Sequence, residues 1–207
     1  VVNMAIEELG GQAIASLTDG STLANTCNNL YPTARDAVLT SHPWNFATFY
    51  ATLAGAILED DRAVFNWTYQ YSLPTLPYCL KVRAVDGDVP FEVGVVQQLQ
   101  PESIIRVLWA HESTMKICYT GLVEDLNRWD ALALEGLNAY LQSKLALPIT
   151  GTASKKAQAW QEFNLTLPEA RVADGQEGTP RQIPPNTTLL AARFGHGGSV
   201  RSLRGPF

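Results

Sequence analysis

The middle of the chain consists of short apolar runs separated by turn residues, and this pattern restricts the possible folds more than any other feature. The runs "YCLKVRAV", "SIIRVLWA" and "MKICYTGL" alternate or cluster apolar residues over about five to eight positions, as strands do. The connections between them are too short for crossover helices, so neighbouring strands are expected to be antiparallel. The pattern therefore predicts about four to six strands in a compact β insertion over residues 64–122.

The N-terminal side of this insertion has the 3.6-residue spacing of amphipathic helices instead. The stretch "AIEELGGQAIASL" predicts a short helix that its glycine pair weakens or breaks. The stretch "DGSTLANTCNNLYPTARDAVLTS" predicts a second helix, with Asp19 or Ser21 as its N-cap. Pro32 is expected to kink or break this second helix, because proline has no backbone N–H to donate.

Three more helices are expected on the two sides of the insertion. One should begin at Pro43, a favoured first-turn residue, and continue to Ala54 in the centre of the core. After the insertion, the spacing of apolar residues predicts a helix that Pro148 and Gly151 end. A last helix is expected over residues 153–175, disturbed at Pro168.

Helices from the two ends of the chain are expected to pack together, because each has an apolar face to bury. The sequence thus predicts an α+β fold with three parts: a helical bundle built from N- and C-terminal helices, an inserted small antiparallel β domain and an extended C-terminal arm. The expected bounds are residues 1–58 and 123–175 for the bundle, 59–122 for the β domain and 176–207 for the arm.

Charge is distributed unevenly between the arm and the rest of the chain. The net charge is −5, yet residues 181–207 contain four arginines and no acidic residue. Of the 15 Lys and Arg, 11 therefore lie in residues 1–180 with all 20 Asp and Glu, which gives that part a net charge of −9. An acidic body argues against wrapping nucleic acid, which needs clustered Lys and Arg. A basic arm suits docking to an acidic partner.

The residues that commonly carry chemistry form no recognisable catalytic set. Cys27, Cys79 and Cys118 have no metal-binding spacing and are expected to be free buried thiols, and the three histidines lie far apart in the sequence. "STMK", beginning at Ser113, matches a nucleophile motif by its letters only, since it lies in a strand-turn-strand context. We therefore expect no enzymatic activity, no metal and no other cofactor. We also expect neither a signal peptide nor a membrane span.

Four stretches of the chain become recognisable when they are taken together. They are "YPTARDAVLTSHPWNFATFYATLA" (31–54), "YQYSLPTLPYCLKVRAV" (69–85), "ICYTGLVEDLNRWDALALEGLNAYLQSKLALPITGT" (117–152) and "ARVADGQEGTP" (170–180). In this order they resemble the tail tubular protein A family, the head-to-tail adaptors of short-tailed bacteriophages (podoviruses). One departure is Tyr78, which stands where the family usually has an acidic residue before the cysteine. The most distinctive run matches the family at Arg35, Leu39, Pro43, Trp44, Phe46 and Ala47.

The resemblance implies a structural virion protein without catalytic activity. Family adaptors form a ring of about twelve identical subunits under the portal vertex of the capsid. The ring joins the portal protein to the tail nozzle, which is built from a tail tubular protein B-like protein, and tail fibres can attach to its outer surface. The resemblance thus places the protein in the virion tail, after assembly in the host cytoplasm. Phage DNA is expected to pass through the lumen without specific binding, since an acidic wall repels phosphates.

The basic arm is expected to insert between portal subunits in such a ring. Its arginines would pair with carboxylates, and its apolar side chains would fill pockets. The residues expected to dock on the portal are Arg181, Ile183, Leu189, Leu190, Arg193, Phe194, Arg201, Arg204 and Phe207.

Other functions are compatible with parts of the sequence. Another ring component, such as a stopper or a tail terminator, would use the same ring-forming surfaces with a different neighbour. A small hydrolase would need Cys79 or Ser113 as its nucleophile. A nucleic-acid-binding module would show an affinity that falls steeply with salt.

Overall fold

Four helices and two antiparallel sheets make up the part of the chain that the computed structural model describes, residues 1–57, 67–99 and 102–177. This architecture confirms the predicted α+β fold class. Beyond Glu177, the predicted arm lies outside the described residues. The helices are α1 (Val2–Glu8), α2 (Thr22–Ser41), α3 (Ala131–Thr150) and α4 (Ala153–Gln176), and the strands are β1 (Thr48–Ala54), β2 (Ala56–Ile57), β3 (Tyr69–Ser72), β4 (Cys79–Val85), β5 (Glu92–Leu99), β6 (Glu102–Ala110) and β7 (Thr114–Gly121).

Helix α1 ends at Glu8, well before the end of the stretch "AIEELGGQAIASL" from which a helix was predicted. Gly10 has a φ of 84°, in the left-handed region that favours glycine, and this takes the chain out of the helix. The segment that follows is held by Asn3, whose side chain donates to the carbonyl of Ile14 and accepts from its N–H at 3.0 and 3.1 Å. The glycine pair thus makes the helix shorter than predicted. The short helix buries Ala5 and Ile6.

Helix α2 begins where the sequence predicted and continues through its proline. The hydroxyl of Ser21 accepts a hydrogen bond from the N–H of Ala24 at 3.1 Å, which makes Ser21 the N-cap. Pro32 lies inside the helix on an exposed position, so the carbonyl that it leaves without a donor can face water. Of the kink or break predicted at Pro32, the break does not occur. The buried face of α2 contains Ala24, Cys27, Ala34, Arg35, Val38 and Leu39.

Helices α3 and α4 form an antiparallel pair joined by Gly151 and Thr152. Gly151 caps α3 with a φ of 64°, and its N–H donates to the carbonyl of Leu147 at 3.0 Å. The Tyr140 ring on α3 lies 4.9 Å from the Phe163 ring on α4, measured between centroids. Pro148 and Pro168 both lie within their helices, and α4 reaches Gln176 without a break.

The sheets contain strands that the sequence placed differently. In one sheet the order is β1-β7-β4, and in the other it is β2-β3-β6-β5, and each neighbouring pair of strands in these sheets is antiparallel. The helix predicted from Pro43 to Ala54 is wrong, because only a 3₁₀ turn forms at Asn45–Ala47 before β1 begins. The residues Thr48–Ala54 pair along their full length with β7, and alternate residues of β1 are exposed. Strands therefore begin ahead of residue 59, where the β domain was expected to start.

Two apolar cores result from this arrangement. The larger core contains residues from all four helices, and the smaller one lies among the strands around Tyr71, Leu108 and Ile117. The Phe49 ring packs against both cores and so connects the helices to the sheets. All three cysteines are free, as expected, although Cys118 is only partly buried.

Candidate functional site

The family-like run "HPWNFA" forms the connection between α2 and β1. His42 ends α2 with an extended backbone, and Pro43 is exposed. Trp44 and Ala47 are completely buried, and Phe46 is partly buried. The run thus turns the chain out of the helical layer and directs it into the first sheet.

The Trp44 side chain makes one hydrogen bond to α2 and packs against two aromatic rings. Its indole N–H donates to the carbonyl of Val38 at 2.9 Å, which satisfies one of the free carbonyls at the end of α2. Its ring lies 4.8 Å from the His42 ring and 5.8 Å from the Phe46 ring. Phe46 in turn lies 5.1 Å from the Trp129 ring, just before α3. Trp44 therefore fixes the connection to α2, and Phe46 links the same connection to the residues just before α3.

Asp174 near the end of α4 binds the same connection from the opposite side. Its side chain is 4% exposed, and its two oxygens accept hydrogen bonds from the His42 Nε2 at 2.9 Å and from the Asn45 backbone N–H at 2.8 Å. The Asn45 side-chain amide donates to the Asp174 carbonyl at 2.7 Å. A buried carboxylate is stable only with such partners. Asp174 thus fastens α4 to the family-like run.

Arg83 on β4 binds the end of α2 from the sheet. Its Nη2 donates to the carbonyls of His42 at 2.8 Å and Thr40 at 3.1 Å, which have no partners within the helix. Its Nε donates to the Thr120 hydroxyl on β7 at 2.7 Å. Burial lowers the pKa of Arg83, although a guanidinium keeps its charge at any ordinary pH. A single side chain therefore ties α2, β4 and β7 together.

These polar residues bring all four family-like stretches to one place. His42 and Asn45 belong to the first stretch and Arg83 to the second, while Thr120 and Asp174 belong to the third and fourth. Local sequence patterns do not single out Arg83, Thr120 or Asp174. Their only signal was their position within the four stretches, since their partners lie far away in the sequence. We name the junction cluster by its members: His42, Asn45, Arg83, Thr120, Asp130 and Asp174.

Asp130, the N-cap residue of α3, completes the junction cluster. Its carboxylate lies with those of Asp174 and Glu177 so that one oxygen of each falls within 4.8 Å of the others. Burial, together with the negative charges of Glu177 and Asp174, raises the pKa of Asp130. One of its oxygens is buried and has no hydrogen-bond partner among the described residues. Because both oxygens of Asp174 already accept hydrogen bonds, the trio is poorly suited to binding a metal ion.

Asp130→Asn is therefore expected to stabilise the protein at neutral pH by up to about 1 kcal/mol. The raised pKa means that ionised Asp130 costs stability in the folded state. This cost is absent below the pKa of the unfolded chain and is complete above that of the folded protein. The Asp130 side chain makes no capping hydrogen bond to α3, so asparagine at this position should leave the start of the helix unaffected. The measurement is urea unfolding of both proteins between about pH 3 and about pH 8, a range that extends below the ordinary pKa of an aspartate.

The control for this experiment is Asp86→Asn, because Asp86 has a side chain that is 71% exposed. The difference between Asp130→Asn and the natural protein should vanish as the pH falls through the titration range of carboxyl groups. A difference that is constant with pH, or that is equal in the control, would contradict the assigned role of Asp130.

Arg35, the first residue of the family-like motif, forms ion pairs outside the junction cluster. It is 8% exposed and binds Asp36 at 2.9 Å and Glu124 at 3.2 Å. Its guanidinium also lies 5.9 Å from the centroid of the Tyr31 ring. Arg35 thus ties α2 to the segment after β7, and Leu39, one turn further along α2, is fully buried.

The nucleophiles of the alternative hydrolase are poorly placed for catalysis. Cys79 is 1% exposed, and burial raises the pKa of its thiol, whereas a reactive cysteine has a lowered pKa and an accessible sulfur. Ser113 lies in the exposed turn between β6 and β7. The nearby His111 instead binds the Thr68 hydroxyl at 3.0 Å and packs against the Trp67 ring. The described geometry therefore does not favour a hydrolase.

The expected portal-docking residues all lie outside the part of the chain that the structure describes, so their docking remains a prediction. They are Arg181, Ile183, Leu189, Leu190, Arg193, Phe194, Arg201, Arg204 and Phe207.

No protein-family description matches the chain, and no curated protein matches its sequence. Among the described residues, the helices are too short or too polar to cross a membrane.

Proposed function

We propose that the chain is a head-to-tail adaptor of a short-tailed bacteriophage, a virion subunit that forms a ring between the portal protein and the tail nozzle. The convergence of the four family-like stretches on the junction cluster is the observation that carries this proposal. In the cluster, Arg83 and Asp174 come from different stretches and both bind the "HPWNFA" run of a third.

The junction cluster suits the mechanical work of an adaptor. A subunit that transmits force between two assemblies needs its layers fixed against one another, and hydrogen bonds to buried charged groups are among the stronger polar contacts available. Arg83 fixes the first sheet to α2, and Asp174 fixes α4 to the same point. We therefore propose that the junction cluster supports the subunit mechanically and does not catalyse a reaction.

The charge of the chain supports a role beside DNA. Residues 1–180 carry a net charge of −9, and negative charge along a channel repels phosphates, so that DNA slides rather than binds. The basic residues after 180 complement an acidic partner, which in this proposal is the portal protein.

The proposal is tested by mixing the full chain with the purified portal ring of the same virus and imaging the mixture by electron microscopy. A second ring, coaxial with the portal, is the expected result. The chain shortened to residues 1–180 should bind the portal much more weakly, because it lacks the basic arm. A full chain that leaves the portal bare would argue for a stopper, a terminator or an unrelated protein.

A further inference from the structure

The loop between β3 and β4 presents the most exposed large apolar side chain of the described residues. Leu76 is 93% exposed and Tyr78 is 43% exposed. The loop is closed by a β-bridge between Thr75 and Tyr78 and by a hydrogen bond of 2.9 Å from the Cys79 N–H to the Pro74 carbonyl. We call residues 74–79 the Leu76 knob. Because the knob is already fixed, little conformational entropy is lost when it binds.

Helix α4 presents a second apolar surface, which is shallow and open. On the side away from the core, Pro168, Val172 and Ala173 line a shallow groove of about 360 Å³ together with Glu169 and Gln176. Val172 is 60% exposed and Leu165, about one turn before Pro168, is 71% exposed. We call this surface the α4 groove. A contiguous exposed apolar surface of this kind is typical of an interaction site.

We infer that the Leu76 knob of one copy of the chain occupies the α4 groove of the next copy. The two surfaces are unlike, since the knob is a protruding loop and the α4 groove is a shallow, open face of one helix, and both are apolar. Their neighbouring charges are opposite, because Lys81 is exposed close to the knob on β4 and Glu169 lines the groove. Contacts between unlike surfaces of identical chains repeat head to tail and give rings or filaments. This inference rests on the proposed ring function and names the surfaces that build the ring.

The contact acts as an anchor within a larger interface. A stable interface buries about 800 Å² on each partner, which is more than one leucine and its groove supply. Apolar anchors at the centre of such an interface nevertheless carry much of the binding energy, and one charged substitution there removes it. A buried aspartate without a partner in place of Leu76 or Val172 should therefore weaken association at least a hundredfold.

The test uses the full chain and two single variants, Leu76→Asp and Val172→Asp, in native mass spectrometry and sedimentation. Each variant alone is expected to remain monomeric at a concentration where the natural chain associates. Mixed together, they should form a 1:1 dimer and nothing larger, because the intact groove of the first variant can accept the intact knob of the second. Circular dichroism should show both variants folded, since both positions are exposed.

The matched control is Ile104→Asp on β6, where the side chain is 76% exposed but belongs to neither surface. It should associate as the natural chain does. The inference is overturned if either single variant associates normally, if the mixture gives no dimer, or if the control loses association to the same degree. A natural chain that stays monomeric at about 100 μM would also overturn it, whereas portal binding would still test the proposed function separately.

Discussion

Trp44→Ala is expected to lower the free energy of unfolding by about 3–5 kcal/mol, which is a large part of the stability of a domain of this size. The substitution removes a completely buried side chain and leaves a cavity beside the end of α2 and the connection to β1. It also leaves the carbonyl of Val38 without its donor. Urea unfolding followed by circular dichroism measures the loss. Trp44→Phe should lose less, because it retains most of the ring volume.

Trp160→Ala is the matched control for this experiment. Trp160 lies on α4 with 46% of its surface exposed, and it packs against the Tyr140 and Phe163 rings. Its removal should cost at most about 1.5 kcal/mol, since half of the side chain remains in water in the folded state. Equal losses at Trp44 and Trp160, or a loss below about 1 kcal/mol at Trp44, would contradict the central position that we assign to the family-like run.

Arg83→Met is expected to lower the free energy of unfolding by about 2–4 kcal/mol. Methionine keeps an aliphatic side chain of similar length but cannot donate to the carbonyls of Thr40 and His42 or to the Thr120 hydroxyl. These partly buried acceptors would lose their partner, and α2 would lose its attachment to the sheet. Arg83→Lys should recover less than half of the loss, because an ammonium cannot match the forked geometry of a guanidinium.

The control for Arg83 is Lys116→Met on the neighbouring strand β7. The Lys116 side chain is 70% exposed, and its ammonium lies 3.8 Å from Asp86, a distance and exposure at which an ion pair contributes little. The control should change the stability by less than about 0.5 kcal/mol. If both methionine variants unfold at the same urea concentration, Arg83 does not hold the layers together.

Local sequence patterns were sufficient to predict the helices that pack by one apolar face and the strands in which apolar and polar residues alternate. The Ser21 cap, the Gly151 stop and the strands between Tyr69 and Gly121 were all readable from local residues. The wrong prediction of a helix from Pro43 to Ala54 has a physical cause. That stretch is apolar on most sides, as a buried helix is, but its Thr, Phe and Tyr residues favour a strand when a partner such as β7 is available.

The junction cluster could not be predicted in the same way. Asp174 meets His42 across 132 positions of the chain, and Arg83 meets Thr120 across 37, so no local periodicity connects the partners. The resemblance selected the stretches that contain these residues but assigned no role to Arg83, Thr120 or Asp174. Only the topology, which brings the ends of α2 and α4 to the edge of the first sheet, places them together.

Electron microscopy of the full chain mixed with the portal ring of the same virus tests the central claim most directly. We expect averaged images in which a ring of this protein, of about twelve subunits, lies coaxially on one end of the portal. We also expect that the chain shortened to residues 1–180 leaves most portal rings bare. A full chain that forms no ring on the portal, at concentrations where both proteins are folded, would contradict the adaptor function.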